Sequence, residues 1–514
     1  MNETASPYPE TLSQRILILA AVVYPAALFV GTQTIANSVL PQMRGDFSAS
    51  IEQISWVVTI SVVAGAIAIP PIGWLARRYG RKRIFIISLI GFSAGSLIAG
   101  MVDSLAGLVL ARCITALFGA PTVALSQAVM MDTFPPKERG AAFALWSVGI
   151  LCGWIFAPAA GAYLAEVQSW RLIFFALVPF GLLGAFACTI IPKSSNTKTG
   201  EFDWPGFVAL SVALGSFIVV LNRGVGLDWF DSREIVMWTA LGSISLYLFI
   251  VHSWFSKKQL IRWKVFHDRN FAVGFILILG YAHMNLAPLV MIPAMLNDLR
   301  GVEMLTTGLV LIPRGIAQMV GMLLLWMVID RLDQRLFIVL GFLLFAWSCW
   351  LMAGFNLSVS LADVVWANIV QGLAQSLIWL PVMNLTYMSL QAEFRTDATS
   401  LVSLVYSTSA SAGVAVGIAL LAYSTQVNHE ELMQFVSPGN ELFKYPEYST
   451  SWDWTTRSGL LALAAEVKRQ ASMLAYVNVF YATMILTFLL TPLALLLRVR
   501  PPAPAVSKLT AECR

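Results

Sequence analysis

The sequence predicts an all-α integral membrane protein of fourteen transmembrane helices, two bundles of six with a further pair inserted between them. Three observations predict it. The 514 residues are 58% apolar and only 12% charged, with a mean hydropathy of +0.74, far from soluble averages. Fourteen apolar runs are long enough to cross a bilayer core of about 30 Å, which takes roughly 20 residues of helix. The basic loop after the second run is echoed after the tenth, an offset of eight.

In order, the runs cover 15 to 39, 52 to 74, 84 to 102, 105 to 131, 140 to 164, 170 to 191, 204 to 222, 234 to 255, 271 to 296, 305 to 329, 335 to 355, 362 to 388, 398 to 423 and 472 to 498. Charge, proline or glycine bounds them. The first follows a polar tail of 14 residues, is too long for a signal-peptide core and has no small-residue cleavage site behind it, so it is expected to stay as a helix. An even number of crossings puts both ends on one side, and cytoplasmic loops collect Lys and Arg. Of 33 such residues, 22 fall on the side of the two ends and 9 on the other, while Arg112 and Arg314 lie within runs. That asymmetry places both termini in the cytoplasm. It also accounts for the net charge of +5 without a nucleic-acid partner.

Five cysteines are scattered singly, with no spacing that suggests a metal site or disulfide framework. No Gly-rich loop ending in Lys-Ser/Thr, no HExxH and no GxSxG occurs, so neither an ATP cradle nor a hydrolase is expected. The reading is a non-enzymatic protein with no cofactor, drawing on an ion gradient.

The basic loop is GWLARRYGRKRIF, Gly73 to Phe85, with five cations in positions 77 to 83 and no acid among them. Its echo is DRLDQRLF, Asp330 to Phe337. Two six-helix halves around an inserted pair give that offset, and transporters built from repeats hold substrate near the midplane between the halves. The expected organisation is a tail (1–14), a first bundle (15–191), a linker with the seventh and eighth helices (192–265), a second bundle (266–498) and a second tail (499–514). The linker opens with PKSSNTKTGEFDWPG, and 424–471 forms a hydrophilic outer loop within the second bundle.

Four stretches carry a resemblance over roughly 20 to 498. TIANSVLP (Thr34 to Pro41) resembles a first-helix pattern, TIVNVALP; GWLARRYGRKR resembles a signature loop between the second and third helices; APAAGA (Ala157 to Ala162) with SWRLIFF (Ser169 to Phe175) is similar to GPxxGG with a trailing SWRWIF; and LIPRG (Leu311 to Gly315) is similar to a tenth-helix motif. The chain thus resembles the fourteen-helix drug/proton antiporter branch of the major facilitator superfamily. The resemblance implies the major-facilitator fold and a loop, here Gly73, Arg78, Gly80 and Arg81, that packs the family's second helix against its eleventh and locks one end-state. Where the family has an acid in this loop, the chain has Arg77; the echo keeps Asp330 beside Arg331. Pro158 and Gly161 belong to the antiporter motif.

An ionisable residue at membrane depth is expensive and marks a functional hypothesis. Arg112 lies about 10 Å into the fourth helix, where the resemblance implies a role in proton coupling; the alternative is a structural arginine bonded to backbone carbonyls. Arg314 sits one or two turns from the outer surface, where its long side chain is expected to snorkel. Branch members carry acids at positions that are Thr32 and Asn478 here, and neither can carry a proton. The titratable group left near mid-membrane is His283, which either couples protons or rests neutral on Asn285 or a neighbouring helix. Asp132 and Glu166 lie near helix ends and are expected to be solvated, with a gating or proton role open to Asp132.

Sparse polar groups on an apolar wall suit a small-molecule cavity. Gln33, Thr34, Asn37, Gln127, Gln318, Gln371, Gln375 and Asn384 supply them, each serving equally as interhelical glue. The set lacks an acid, which argues against a strict preference for cations. The expectation is a proton-coupled exporter of small amphipathic or hydrophobic molecules in a bacterial inner membrane, working by alternating access, with multidrug resistance as the outcome. The alternatives are an exporter of one metabolite, organic acid or siderophore, and a non-transporting membrane sensor. For the long outer segment the resemblance implies a periplasmic adaptor and outer-membrane duct, as in Gram-negative relatives of this type; the alternative is a cover over the bundle mouth.

Overall fold

The computed structural model describes residues 11–135, 138–192, 201–256, 260–329, 332–436, 452 and 456–499. Asp330 and Arg331 lie outside them, as do the side chains of Asn37 and Glu166. The first bundle contains α1 (Leu12–Ser38), the short α2 (Leu40–Asp46), α3 (Ile51–Ala68), α4 (Ile72–Tyr79), α5 (Arg81–Met101), α6 (Leu105–Gly119), α7 (Pro121–Thr133), α8 (Arg139–Val167) and α9 (Trp170–Ala187). The inserted pair is α10 (Trp204–Arg223) and α11 (Arg233–Phe255). The second bundle contains α12 (Arg269–Arg300), α13 (Met304–Trp326), α14 (Gln334–Ala353), α15 (Leu361–Met388), α16 (Arg395–Met433) and α17 (Arg457–Leu490).

Among the described residues thirteen helical spans, with α6 and α7 together counting as one, are long and apolar enough to cross a membrane, and α3 with α4, bent by 52°, makes a fourteenth. The bend falls at Pro70 and Pro71: proline lacks the N–H that helix continuation needs and clashes with the preceding turn. Proline at the start of α7 marks a milder break in the fourth crossing.

The eight-helix offset holds in three dimensions. In the first half α1 packs on α8, α3 on α6, and α5 on both α6 and α9; in the second half α12 packs on α16, α13 on α15, and α14 on both α15 and α17. Each pairing of crossings reappears eight crossings later. The contacts between halves follow the same exchange, α8 against α13 and α15, α16 against α3 and α7. The inserted α10 packs on α3 and α16, at the side of the junction, and leaves the repeat intact.

Small residues set the closest approach. On α8, Gly149, Gly153, Ala157 and Gly161 recur every fourth position and form one face. A Cβ at Gly153 would overlap the Ala27 carbonyl and one at Gly161 would meet Ile35 at 2.7 Å, so α1 lies directly on this stripe. Gly161 of the antiporter motif therefore sits on the α1–α8 contact, and Pro158 lies within α8 beside that stripe.

The stretch expected as an outer loop is helical at both ends. Helix α16 runs on to Met433 and α17 starts at Arg457, at 39 and 34 residues, about 58 and 51 Å long at 1.5 Å per residue. Both outreach a bilayer core. Asn428 donates to the Ala471 carbonyl at 3.3 Å, tying the two extensions together. Hydropathy ended these runs where polarity began, but the backbone continues to satisfy itself as helix in water.

Replacing Gly153 with Val puts two methyl groups where the Ala27 carbonyl lies. We expect about 1 to 3 kcal/mol of destabilisation from this overpacking, read as a lower unfolding temperature in detergent. Val at Gly226, where a Cβ would meet nothing within 4 Å, should leave that temperature nearly unchanged.

Candidate functional site

Two polar constellations stand out, one at the end of the bundle that carries the α4–α5 junction, here the basic end, and one at membrane depth.

At the basic end the two halves are joined by charge. Gly80 ends α4 and begins α5 at φ 86°, a conformation that favours glycine, and so turns the chain in a single residue. That turn presents Arg77 and Arg81 to the start of α16. Arg77 pairs with Asp397 at 2.5 Å, and Arg81 donates through Nε to Thr396 Oγ1 at 2.9 Å. Asp397 lies in the first turn of α16, where the helix dipole favours an acid. Gly73 is needed beneath it, since a Cβ there would overlap Asp397 Oδ1. Asp132 at the end of α7 accepts from Arg395 at 2.7 Å and also pairs with Arg81. Arg78 points away and lies over the Trp74 ring at 5.2 Å.

Asp132, expected to be solvated with a gating role open to it, keeps a side chain 39% exposed and also bridges arginines of both halves. Arg77, where the family has an acid, supplies a charge contact of its own to Asp397.

Apolar contacts continue the closure inward. Tyr387 stacks on Phe143 at 5.7 Å and donates to Gln127 Oε1 at 3.4 Å, while Trp379 Nε1 donates to Ser147 Oγ at 3.2 Å. The apolar cluster that unites both halves lies at this end, including Met131, Phe134, Phe143, Tyr387 and Ala398. At the opposite end the second half keeps a separate cluster around Met291, Phe355 and Phe480. The conformation is closed at the basic end.

At membrane depth each half buries one arginine. Arg112, 1% exposed, donates through Nη2 to Gln33 Oε1 at 3.0 Å and lies 5.9 Å from the centre of the Phe174 ring. Arg314, 4% exposed, donates through Nη2 to the Asn285 carbonyl at 2.9 Å and to Asn285 Oδ1 at 2.6 Å. The carboxamide orientation of Gln375 that suits its neighbours accepts from Arg314 Nε at 3.2 Å and donates to Gln318 Oε1 at 3.0 Å. Arg314 therefore does not snorkel. Gly372 lets α15 come so close to α13 that its Cβ would overlap the Arg314 carbonyl, and the side chain is roofed over. In both halves a carboxamide on the first helix of the half answers the arginine, and Arg112 Nε and Arg314 Nη1 have no hydrogen-bond partner among the described residues.

The remaining expected site residues separate. Thr34 donates to its own helix at the Gly31 carbonyl, 2.8 Å, and Asn384 donates to Gln334 Oε1 at 3.1 Å, joining α15 to α14. Gln371 is fully buried with neither amide atom bonded. His283 is half-buried, makes no hydrogen bond among the described residues, and shares a stripe of α12 with exposed Ile276, Leu279 and Val290, at seven- and four-residue spacings. Asn285 serves Arg314 and does not hold His283. Of the positions that are acids in the branch, Thr32 donates to the Leu28 carbonyl at 2.8 Å and Asn478 is exposed on the outer face of α17. The SWRLIFF stretch acts at the opposite end: Trp170 and Arg171 both donate to Asp46 Oδ2, at 2.7 and 3.1 Å, holding α2 down.

Two repeated six-helix halves, joined by charge at one end and with polar groups sealed at mid-depth, define a membrane transporter built of two bundles. Residues 25–413 match the family model of the Major Facilitator Superfamily, and the chain belongs to that family, in its drug/proton antiporter branch. It is 30% identical over 450 residues to "Multidrug export protein EmrB" of Haemophilus influenzae, covering 86% of this chain and 88% of that one. It is 28% identical over 408 residues to "Fatty acid resistance protein FarB" of Neisseria gonorrhoeae, covering 79% and 80%. The solved proton:xylose symporter XylE shares the fold, with a TM-score of 0.58 at 13% identity over 95% of this chain and 99% of that one.

A buried guanidinium deprived of its carboxamide is left uncompensated, whereas removing both partners leaves an apolar site. Asn285→Ala is therefore expected to destabilise the protein by about 2 kcal/mol. The Asn285→Ala/Arg314→Met double variant should recover part of that loss in the unfolding temperature.

Proposed function

We propose that the chain exports small amphipathic or hydrophobic molecules across a bacterial inner membrane in exchange for protons, by alternating access between the two halves. The basic end is the cytoplasmic face, with both termini on that side, in keeping with the excess of Lys and Arg there. The carrying observation is the lock between Arg77, Arg81, Asp132, Arg395 and Asp397, which joins the halves at one face only through breakable contacts. Ion pairs at a partly wetted surface are individually weak, so a lock of this kind can open on the timescale of transport.

Asp132, His283 and Arg112 are the groups proposed for coupling. A proton on Asp132 would cancel its attraction to Arg81 and Arg395 together and so favour opening toward the cytoplasm. His283 has no hydrogen-bond partner among the described residues to hold one charge state, and Arg112 with Gln33 would sense substrate from the sealed layer. Polar contacts to substrate are proposed for Gln33, Gln318, Gln371 and Gln375, with Gln371 the amide left free to bond a ligand.

One observation favours a second reading, an exporter of organic acids. Both buried arginines are answered by carboxamides and by no carboxylate among the described residues, so each half keeps an unneutralised cation facing a low-dielectric interior. A relative named for fatty acid resistance agrees with it. The projecting ends of α16 and α17 are proposed as the contact for a periplasmic adaptor leading to an outer-membrane duct, by their reach beyond the bilayer.

The test is export from proteoliposomes under an imposed pH gradient, with lipophilic cations, neutral compounds and carboxylates compared. Collapse of the gradient should stop accumulation, and Asp132→Asn should uncouple it, losing uphill transport by roughly tenfold or more. If His283→Ala alone uncouples, His283 carries the proton; accumulation that ignores the gradient ends the antiport reading. The organic-acid reading expects Arg314→Met to lose carboxylates selectively.

A further inference from the structure

The lock has a third partner that comes from neither half. Residues 260–268, which lead from the inserted pair into α12, cross the basic end beside the start of α16. Leu260 and Ile261 are buried, at 7% and 8% exposure, and share a small crevice with Pro70, Asp397, Ser400, Leu401 and Leu404. The next residue, Arg262, pairs with Glu393 at 2.5 Å and approaches Asp397 Oδ2 at 3.6 Å, its guanidinium lying 5.6 Å from the centre of the Phe394 ring. Trp263 Nε1 donates to Ser253 Oγ at 2.8 Å, fastening the same segment to the end of α11.

We propose that this segment is a strap through which the inserted helices set the strength of the lock, with Arg262 as the positioning residue. Asp397 has two oxygens: Oδ1 takes Arg77 of the first half, and Oδ2, which has no hydrogen bond, faces Arg262. The carboxylate is therefore held from both sides and kept aimed at Arg77. The wedge of Leu260 and Ile261 lies against Pro70, next to the break in the second crossing, and against Leu401 and Leu404 of α16, so the strap touches both elements that must separate when the basic end opens. A shift of α10 and α11 in the bilayer, carried through Trp263, would move Arg262 off Asp397 and weaken the contact with Arg77. The inserted pair then acts as a regulator of opening. The inference goes beyond the proposed substrates and rests on the basic end being a gate.

The experiment reads opening without transport. Ser147→Cys places a thiol under Trp379, inside the closed region, and a membrane-impermeant maleimide added at the basic face measures how often that region opens. Parallel samples without Ser147→Cys subtract the labelling of the native cysteines, Cys113 and Cys152, which are partly exposed, and Cys513 of the tail. Arg262→Gln should raise the labelling rate about threefold to tenfold, Arg262→Lys less, and Glu393→Gln should raise it too. Arg77→Gln is the benchmark for a broken lock, and the Arg77→Gln/Arg262→Gln pair should fall short of the product of the single effects, because both act through Asp397. Unchanged labelling in Arg262→Gln and Glu393→Gln, with Arg77→Gln accelerated, overturns the strap. Unchanged labelling in all three overturns the gate itself. Should Arg262→Gln fail to fold, the Glu393→Gln result decides, since it removes the strap's anchor and leaves Arg262 and Asp397 in place.

Discussion

The pairing of Asp397 with Arg77 is the constraint around which the basic end is organised. Five cations between two membrane crossings repel one another and anything basic that approaches, so the two halves meet there only because acids are supplied at the right points. Asp397 in the first turn of α16 and Asp132 at the end of α7 are those points. The bend at Pro70 and Pro71, the bare backbone of Gly73, the turn at Gly80 and the apolar stack of Phe143 on Tyr387 all bring groups to that meeting. A partly buried ion pair stabilises its assembly modestly while strongly penalising the loss of one partner, which suits a contact that must be specific and reversible.

The sealed arginines follow a different logic. A guanidinium fully withdrawn from water is stabilised by fixed dipoles, and in both halves the nearest dipole is a carboxamide on the half's first helix. Gln33 and Asn285 are not related by a simple shift of residues, and Arg112 and Arg314 stand on different helices of the repeat, so duplication alone does not account for the likeness. The shared feature is chemical: a permanent cation facing neutral partners, with at least one buried guanidinium nitrogen in each left without a hydrogen bond among the described residues.

The number of crossings, their order and the offset of eight were legible in composition and periodicity, because bilayer thickness imposes a length on any apolar run. The true ends of α16 and α17 were not, since hydropathy measures where the membrane stops and says nothing about where a helix does. In the site, residue types were legible and partnerships were not. Arg112 and Gln33 lie 79 positions apart, Arg77 and Asp397 lie 320 apart, and no local pattern links them. Asp397 is inconspicuous in sequence because QAEFRTDATS reads as an ordinary polar loop entering a helix. Its signal was available all the same: a run of cations without acids requires acids elsewhere on that face, and acids in a helix's first turn there are few. Arg314 was misplaced by counting turns from the helix end, a measure blind to how closely Gly372 lets α15 cover it.

Gly80 has a mechanical consequence. Because one residue ends α4 and starts α5, no loop separates the two helices. The proline break sets α4 off from α3 by a bend of 52°. The reach of Arg77 to Asp397 is thus fixed by how α4 and α5 are placed together, with no spare length of chain between them.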